Sequence, residues 1–166
     1  MSVARVQYGL DMEIGEAKNI HATYQKTYPG VPDYWASQIR KCRELGYAET
    51  LAGRRVQLVG RWNRTDSWAL ESTSINFPIQ GIGADQKYLA LAVARNELSK
   101  WGGYMYFELH DGIYWIFPVA KAEAAAHHFK KILSNLPYKQ AWGVDLPIQF
   151  PVDAKIGPNW GDLKGI

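Results

Sequence analysis

Apolar residues recur at spacings of three and four in several parts of the chain, which is typical of helices with one buried face. Between Ile14 and Tyr28, the residues Ala17, Ile20 and Tyr24 share such a face. The same period, with Pro, Asp or Gly at suitable ends, predicts four more helices: Pro32 to Leu45, Asp66 to Ser74, Asp85 to Lys100 and Ala120 to Leu136.

Proline and glycine separate these helices. Gly46 follows the second predicted helix, and Gly102-Gly103 follows the fourth. Pro78 and Gly81 interrupt the pattern in between, so we expect the helices before and after them to be distinct.

Alternating apolar and polar residues predict strands between the helices. The candidates are Tyr47 to Leu51, Arg54 to Val59, Tyr104 to Leu109, Ile113 to Val119 and Leu146 to Ala154. The first pair turns at Ala52-Gly53, and the second pair flanks His110-Asp111-Gly112, where Asp-Gly is a strong hairpin signal. Helices mixed with hairpins favour an α+β fold, with helices packed on one side of an antiparallel sheet.

The composition narrows the class of protein. The chain has 166 residues, 47% of them hydrophobic and 13% aromatic, which suffices for one ordinary core. A single cysteine, Cys42, excludes a disulfide framework and a zinc site built from thiolates. No apolar run is long enough to cross a bilayer and no secretory signal is visible, so we expect a cytoplasmic protein without a membrane partner.

The overall charge conceals a basic stretch. Nineteen Lys and Arg against 16 Asp and Glu leave a net charge of only +3, which excludes nucleic-acid binding by bulk charge alone. Between Arg40 and Arg64, however, there are seven Lys and Arg residues and only two acidic residues, Glu44 and Glu49. Arg54 and Arg55 come directly after a hairpin turn, where they suit phosphate contacts or, equally, a solvated surface.

Two further features can be interpreted either as functional sites or as ordinary local structure. Asp111, at a tight turn between two strands, is placed to bind magnesium, which prefers carboxylate oxygens, although Asp-Gly turns are common without any ligand. Asn76 and Gln80 are four residues apart, so on a helix both side-chain amides could face the acceptors of a DNA minor groove. Alternatively, Asn76 only caps a helix and Gln80 is an ordinary surface residue.

Several short motifs share one order along the chain: Tyr28-Pro29-Gly30-Val31, Gly46 to Arg55 (GYAETLAGRR), Ile75 to Gly81 (INFPIQG), Ala84-Asp85, His110-Asp111 and Gly157-Pro158-Asn159-Trp160. In this order and spacing they resemble the C-terminal part of family A DNA polymerases, the bacterial DNA polymerase I type, and most of all a phage version. The resemblance covers nearly the whole chain.

The resemblance implies nucleotidyl transfer, in which a primer 3′-hydroxyl attacks an incoming deoxynucleotide (dNTP). Asp111 would be the palm aspartate that binds two catalytic Mg²⁺ ions, and His110 would lie near the primer terminus. Asn76 and Gln80 match the positions that contact the minor groove of the primer-template. Arg54 and Arg55 match a hairpin that handles the DNA backbone.

The sequence also departs from the family. Gly112 stands where the family usually has Glu after His-Asp, and Ser72 stands where it often has Arg. Glu108 occupies a position at which Gln is common. The first palm motif, with its own metal-binding Asp, and the nucleotide-binding fingers helix are absent from these residues, so the second Asp must come from outside this chain.

We therefore expect residues 1–45 to form a helical part of the fingers and residues 46–166 to form the palm, as one compact unit or two. The first hypothesis is the C-terminal piece of a split polymerase that needs an upstream chain. The alternatives are a non-catalytic DNA-binding or assembly subunit derived from this fold, and a piece cut from a longer polymerase. An incomplete polymerase fold should expose apolar surface and self-associate.

Overall fold

The structure, a computed structural model, describes residues 12–63 and 67–166. Its helices are α1 (Ile14–Thr27), α2 (Gly30–Leu45), α3 (Ser67–Trp101), α4 (Val119–Leu133) and α5 (Tyr138–Trp142), with a 3-10 turn at Trp160–Asp162. Its strands are β1 (Tyr47–Glu49), β2 (Arg55–Gln57), β3 (Tyr104–Leu109), β4 (Gly112–Ile116), β5 (Lys155–Ile156) and β6 (Lys164–Gly165). Three antiparallel pairs, β1–β2, β3–β4 and β5–β6, form separate two-stranded sheets. Arg64 and Asp66, which figured in the sequence analysis, lie outside the described residues.

The chain divides into two compact units, Met1–Ala48 with Gln57–Ile75, and Glu49–Val56 with Asn76–Ile166. In the first unit, α1 and α2 lie where the apolar pattern predicts them, and Gly46 ends α2 in the left-handed conformation at a φ of 75°. The Tyr34 hydroxyl donates to the Ile75 carbonyl at 3.2 Å, and burial raises the pKa of that hydroxyl.

The prediction of two separate helices around Pro78 is wrong, because α3 runs unbroken through 35 residues with Pro78 inside it. Proline removes one backbone donor and usually bends a helix. Here the segment after Pro78 is held by side chains from outside the helix, since Arg54 donates to the Gly81 carbonyl at 2.9 Å. Such tertiary contacts override local propensity.

The core of the second unit lies between α3, α4 and the β3–β4 hairpin. Its buried members are Ala90, Ala94, Ala125, Phe129, Leu133 and Leu136, and Ile113, Trp115 and Phe117 of the hairpin pack against them. Small residues on α3 let α4 and the hairpin approach closely, and the Phe129 ring lies 4.7 Å from that of Trp115. The expected arrangement, helices at 85–100 and 120–136 behind an antiparallel hairpin, is confirmed.

The predicted strand at Leu146 to Ala154 is wrong, because this segment contains no strand. Pro147 and Pro151 lack the backbone N–H that a strand ladder needs. Pairing begins instead with Lys155, opposite Gly165. The α+β class is confirmed, and no described helix is long and apolar enough to cross a membrane.

Candidate functional site

The tip of the β3–β4 hairpin is a two-residue turn formed by His110 and Asp111. Leu109 pairs with Gly112, so Gly112 is already the first residue of β4 rather than part of the turn. His110 has a φ of 51°, and it is the one described residue other than glycine with positive φ. Non-glycine residues rarely adopt this conformation, and such strain is often found at functional sites. Both side chains of the turn are exposed.

A β-bulge at Tyr106 sets which way the residues before the turn face. Met105 pairs with Trp115, whereas Phe107 pairs with the adjacent residue Tyr114, so Tyr106 is the extra residue. Bulges re-aim the side chains that follow them and are frequent beside active sites. We call the face of the hairpin on which Trp115 contacts the core the inner face. Because of the bulge, Phe107 lies on the opposite, outer face.

Three rings stack on the outer face. The Phe107 and Tyr114 centroids are 4.5 Å apart, and the Trp160 ring lies 4.7 Å from Phe107 and 4.5 Å from Tyr114, with interplanar angles of 11° to 17°. Trp160 belongs to the segment that resembles the family's closing motif. The C-terminal segment is thus fixed to the hairpin just behind the turn.

The inner face beside the turn carries an ion pair. Glu108 pairs with Ile113 across the hairpin and is directed toward α3, where Lys87 Nζ lies 3.2 Å from its carboxylate. The same Nζ donates to the backbone carbonyl of His110 at 3.1 Å. Glu108 is therefore paired with Lys87 on the inner face.

The donor set at the turn fits one part of a magnesium site. Asp111 is exposed and, within the described residues, has no ion-pair partner, so its oxygens can bind a hard cation. Among the same residues no cluster of three or more His, Cys, Asp or Glu side chains suited to a metal occurs. Asp111 can supply one carboxylate to such a site.

Asn76 and Gln80 both lie on α3 and are exposed, one helical turn apart on the same side. Gly81 follows directly, and it is the point at which the β1–β2 loop meets the helix. A Cβ at Gly81 would overlap the Thr50 methyl group and would lie 3.2 Å from an Arg54 nitrogen. Glycine is needed here for the close approach of the two segments.

Arg54 is engaged within the protein. Its Nε is 2.7 Å from Asp85, which is only 7% exposed, and its Nη2 donates to the Gly81 carbonyl. The guanidinium also lies over the Phe77 ring, 5.3 Å from the centroid. The side chain remains 42% exposed, so a part of it still faces solvent.

Arg55 is placed differently. Its Nε is 2.7 Å from Glu49, and the Arg55 side chain is 55% exposed. The two arginines of the predicted DNA-binding pair therefore have separate acidic partners. Arg54 is fixed against α3, whereas Arg55 is largely at the surface.

Four residues that shape the site were missed by sequence reasoning: Asp85, Lys87, Tyr114 and Trp160. Asp85 and Trp160 were noted only as parts of motifs. Lys87 lies two residues after Asp85 on the same helix, and nothing local connects it with Glu108, 21 positions later. Apart from those two motif residues, a sequence signal exists for Tyr114, because the alternation of a strand places it on the same face as Gly112.

The fold is that of part of a polymerase domain. It matches the POL domain of Pol1 from M. smegmatis, solved in complex with DNA primer-template and dNTP, with a TM-score of 0.70 and 24% identity over 81% of this chain and 24% of that one. Residues 1–162 match the sequence profile of DNA polymerase family A, and the chain belongs to that family.

Curated relatives agree with this assignment. DNA polymerase I of Deinococcus radiodurans is 34% identical over 166 residues, which cover 99% of this chain and 17% of that protein. The thermostable DNA polymerase I of Thermus aquaticus is 28% identical, with 99% of this chain and 19% of that protein covered. The chain thus spans less than a fifth of the length of these relatives.

Proposed function

We propose that this chain is the C-terminal part of a template-directed DNA polymerase and that Asp111 is its metal-binding carboxylate. Family membership supports the polymerase class. The observation that carries the finer proposal is the geometry of the hairpin tip: a carboxylate with no described ion-pair partner lies on a strained two-residue turn that is anchored on both faces.

Asp111 would hold Mg²⁺ together with a second Asp from outside this chain. When bound, two such ions activate the primer hydroxyl and stabilise charge on the transferring and leaving oxygens. The chain's own contribution is to fix the carboxylate on a short turn backed by α3, so that its position changes little as substrate binds. His110, exposed beside it, would contact the primer terminus.

Asn76 and Gln80 would contact the minor groove of the primer-template. Each side-chain amide donates hydrogen bonds, and the acceptors in the minor groove are nearly the same for every base pair. Such contacts respond to the shape of the duplex rather than to its sequence, which suits an enzyme that copies any template.

Arg54 and Arg55 would contribute differently to DNA binding. The contacts of Arg54 with Asp85 and Gly81 support a role in fixing the β1–β2 loop beside Gln80, with only its solvent-facing side left for phosphate. Arg55 is the more exposed of the two and can exchange Glu49 for a phosphate oxygen.

An upstream polymerase chain would supply the first palm motif and the nucleotide-binding helix. We expect the activity in the cytoplasm, or in the cytoplasm of a host if the gene belongs to a phage. The neighbouring genes would test the phage origin.

Primer extension tests the proposal. The chain alone, the upstream chain alone and their mixture are compared on a primed template with Mg²⁺ and dNTPs. Synthesis is expected only from the mixture. Efficient extension by this chain alone would contradict the requirement for a partner, and a mixture that binds DNA without extending it would contradict catalysis.

A non-catalytic DNA-binding or assembly subunit is the second candidate. It is favoured by two departures from the pattern of the family, Gly112 in place of Glu and Ser72 in place of Arg. If a mixture with Asp111→Asn synthesises DNA as well as the wild type, the metal role of Asp111 is wrong and this second candidate is favoured.

A further inference from the structure

Lys87 is a mostly covered lysine beside the candidate catalytic turn. Its side chain is 17% exposed, although lysine is among the residues least often buried. Nζ lies 3.2 Å from Glu108 and donates to the His110 carbonyl at 3.1 Å. The aliphatic stem therefore brings one charge to two acceptors at the base of the turn.

The bulge at Tyr106 makes this contact possible. In an unbroken ladder Glu108 would share the outer face with Tyr104, since residues of even number alternate with those of odd number. The extra residue moves Glu108 to the inner face, opposite Ile113 and toward α3. In this position the carboxylate comes within reach of a cation, and Lys87 is the one within 4.0 Å among the described residues.

The second contact of Lys87 concerns backbone geometry. The His110 carbonyl belongs to the peptide group that joins His110 to Asp111, and His110 has the unusual φ of 51°. A charged donor on that carbonyl fixes the plane of the peptide group. The plane in turn sets the direction in which the Asp111 side chain leaves the turn.

We propose that Lys87 is a positioning residue for Asp111, which holds the His110–Asp111 peptide and neutralises Glu108. The inference rests on the proposed function of Asp111. It adds that the acid at position 108 and the lysine on α3 act as a pair: without Lys87, an unpaired negative charge would remain three residues before the carboxylate that is to accept a metal.

The test uses Lys87→Met, which keeps the stem and removes the charge, Lys87→Arg, Glu108→Gln and the double variant Lys87→Met/Glu108→Gln. Lys121→Met on the exposed side of α4 is the matched control. In the mixture with the upstream chain, Lys87→Met should lower kcat about tenfold with the dNTP KM within twofold. Lys87→Arg should recover most of kcat. The double variant should have a higher kcat than Lys87→Met, because it no longer carries the unpaired charge of Glu108.

A measurement on this chain separates the inference from the proposed function. In ¹H–¹⁵N spectra, Lys87→Met should shift the amide signals of Asp111 and Gly112, whereas Lys121→Met should not. If Lys87→Met fails to fold, wild-type protein serves: a scalar coupling across the hydrogen bond, between the Lys87 ¹⁵Nζ and the His110 carbonyl ¹³C, should be detected.

Unmoved amides, or a missing coupling, would overturn the role of Lys87 whatever Asp111 does. The role of Lys87 would also be overturned if Lys87→Met left kcat unchanged while Asp111→Asn, tested in the same way, abolished activity. If Asp111→Asn stays active while the amides move, the proposed function fails and the contact stands.

Discussion

Gly112 lies beneath the ring of Tyr114, and this contact leaves little room for a side chain at position 112. A Cβ at position 112 would lie 3.1 Å from Tyr114 Cε2 and 3.2 Å from its hydroxyl. The ring cannot yield easily, because Phe107 and Trp160 stack against it. The position of the Tyr114 ring therefore requires a residue without a side chain at position 112.

We expect Gly112→Ala to destabilise the protein by about 1–2 kcal/mol, as overpacking of a fixed site does. Alanine in an open strand position would instead stabilise by roughly 0.5–1 kcal/mol, because glycine loses more entropy on folding. Gly165→Ala, at a strand glycine with no atom within 4 Å of the added methyl, is the control. Urea unfolding measures both, and a more stable Gly112→Ala would show that the ring moves freely.

At the scale of elements, sequence reasoning succeeded where the signal is local and failed where it is not. The bounds of α1 and α2 follow from apolar period and end residues, and Asp-Gly indicated the β3–β4 hairpin. The local pattern does not indicate that α3 continues through Pro78, and the contact of Arg54 with the Gly81 carbonyl joins residues 27 positions apart. The bulge at Tyr106 and the pairing of Glu108 with Lys87 likewise need the assembled fold, so the residues around Asp111 could be predicted but their support could not.

The close contact between the β1–β2 loop and α3 gives a second prediction. Gly81→Ala should destabilise by about 1–3 kcal/mol, because its methyl would overlap Thr50 and push the loop from the helix. It should also weaken binding to a primer-template, since Gln80 is adjacent. Gly83→Ala, two residues on in the same helix, meets no atom and should stabilise slightly. Equal effects of the two substitutions, measured by urea unfolding and fluorescence anisotropy, would refute the importance of this contact.

The ring stack makes the C-terminal segment part of the hairpin's support. Trp160→Ala removes two stacked pairs and should cost about 1–3 kcal/mol, even though Trp160 is 53% exposed. Trp68→Ala removes a ring that is 78% exposed and should change stability by less than about 0.5 kcal/mol. Thermal unfolding compares them, and indistinguishable midpoints would mean that the stack does not hold the segment.

At the scale of the whole molecule, the hypothesis of an incomplete fold predicts association through exposed apolar residues. On the outer face, Tyr104 pairs with Ile116, and the two are 57% and 40% exposed. We expect the isolated chain to self-associate through such surface. Tyr104→Thr with Ile116→Thr should reduce the association seen in sedimentation, whereas Val119→Thr, at a lone exposed valine, should not. A monodisperse wild-type monomer at high concentration would contradict this expectation.

The central claim is that Asp111 performs metal-dependent chemistry together with residues from an upstream chain. The most direct measurement is the rate of single-nucleotide addition by the mixture of the two chains, with Asp111→Asn compared against Asp153→Asn, an exposed aspartate elsewhere in the second unit. A metal ligand contributes several kcal/mol to the transition state, so Asp111→Asn should lower the rate by at least about 100-fold while Asp153→Asn stays within twofold. Equal rates for Asp111→Asn and the wild type would contradict the account.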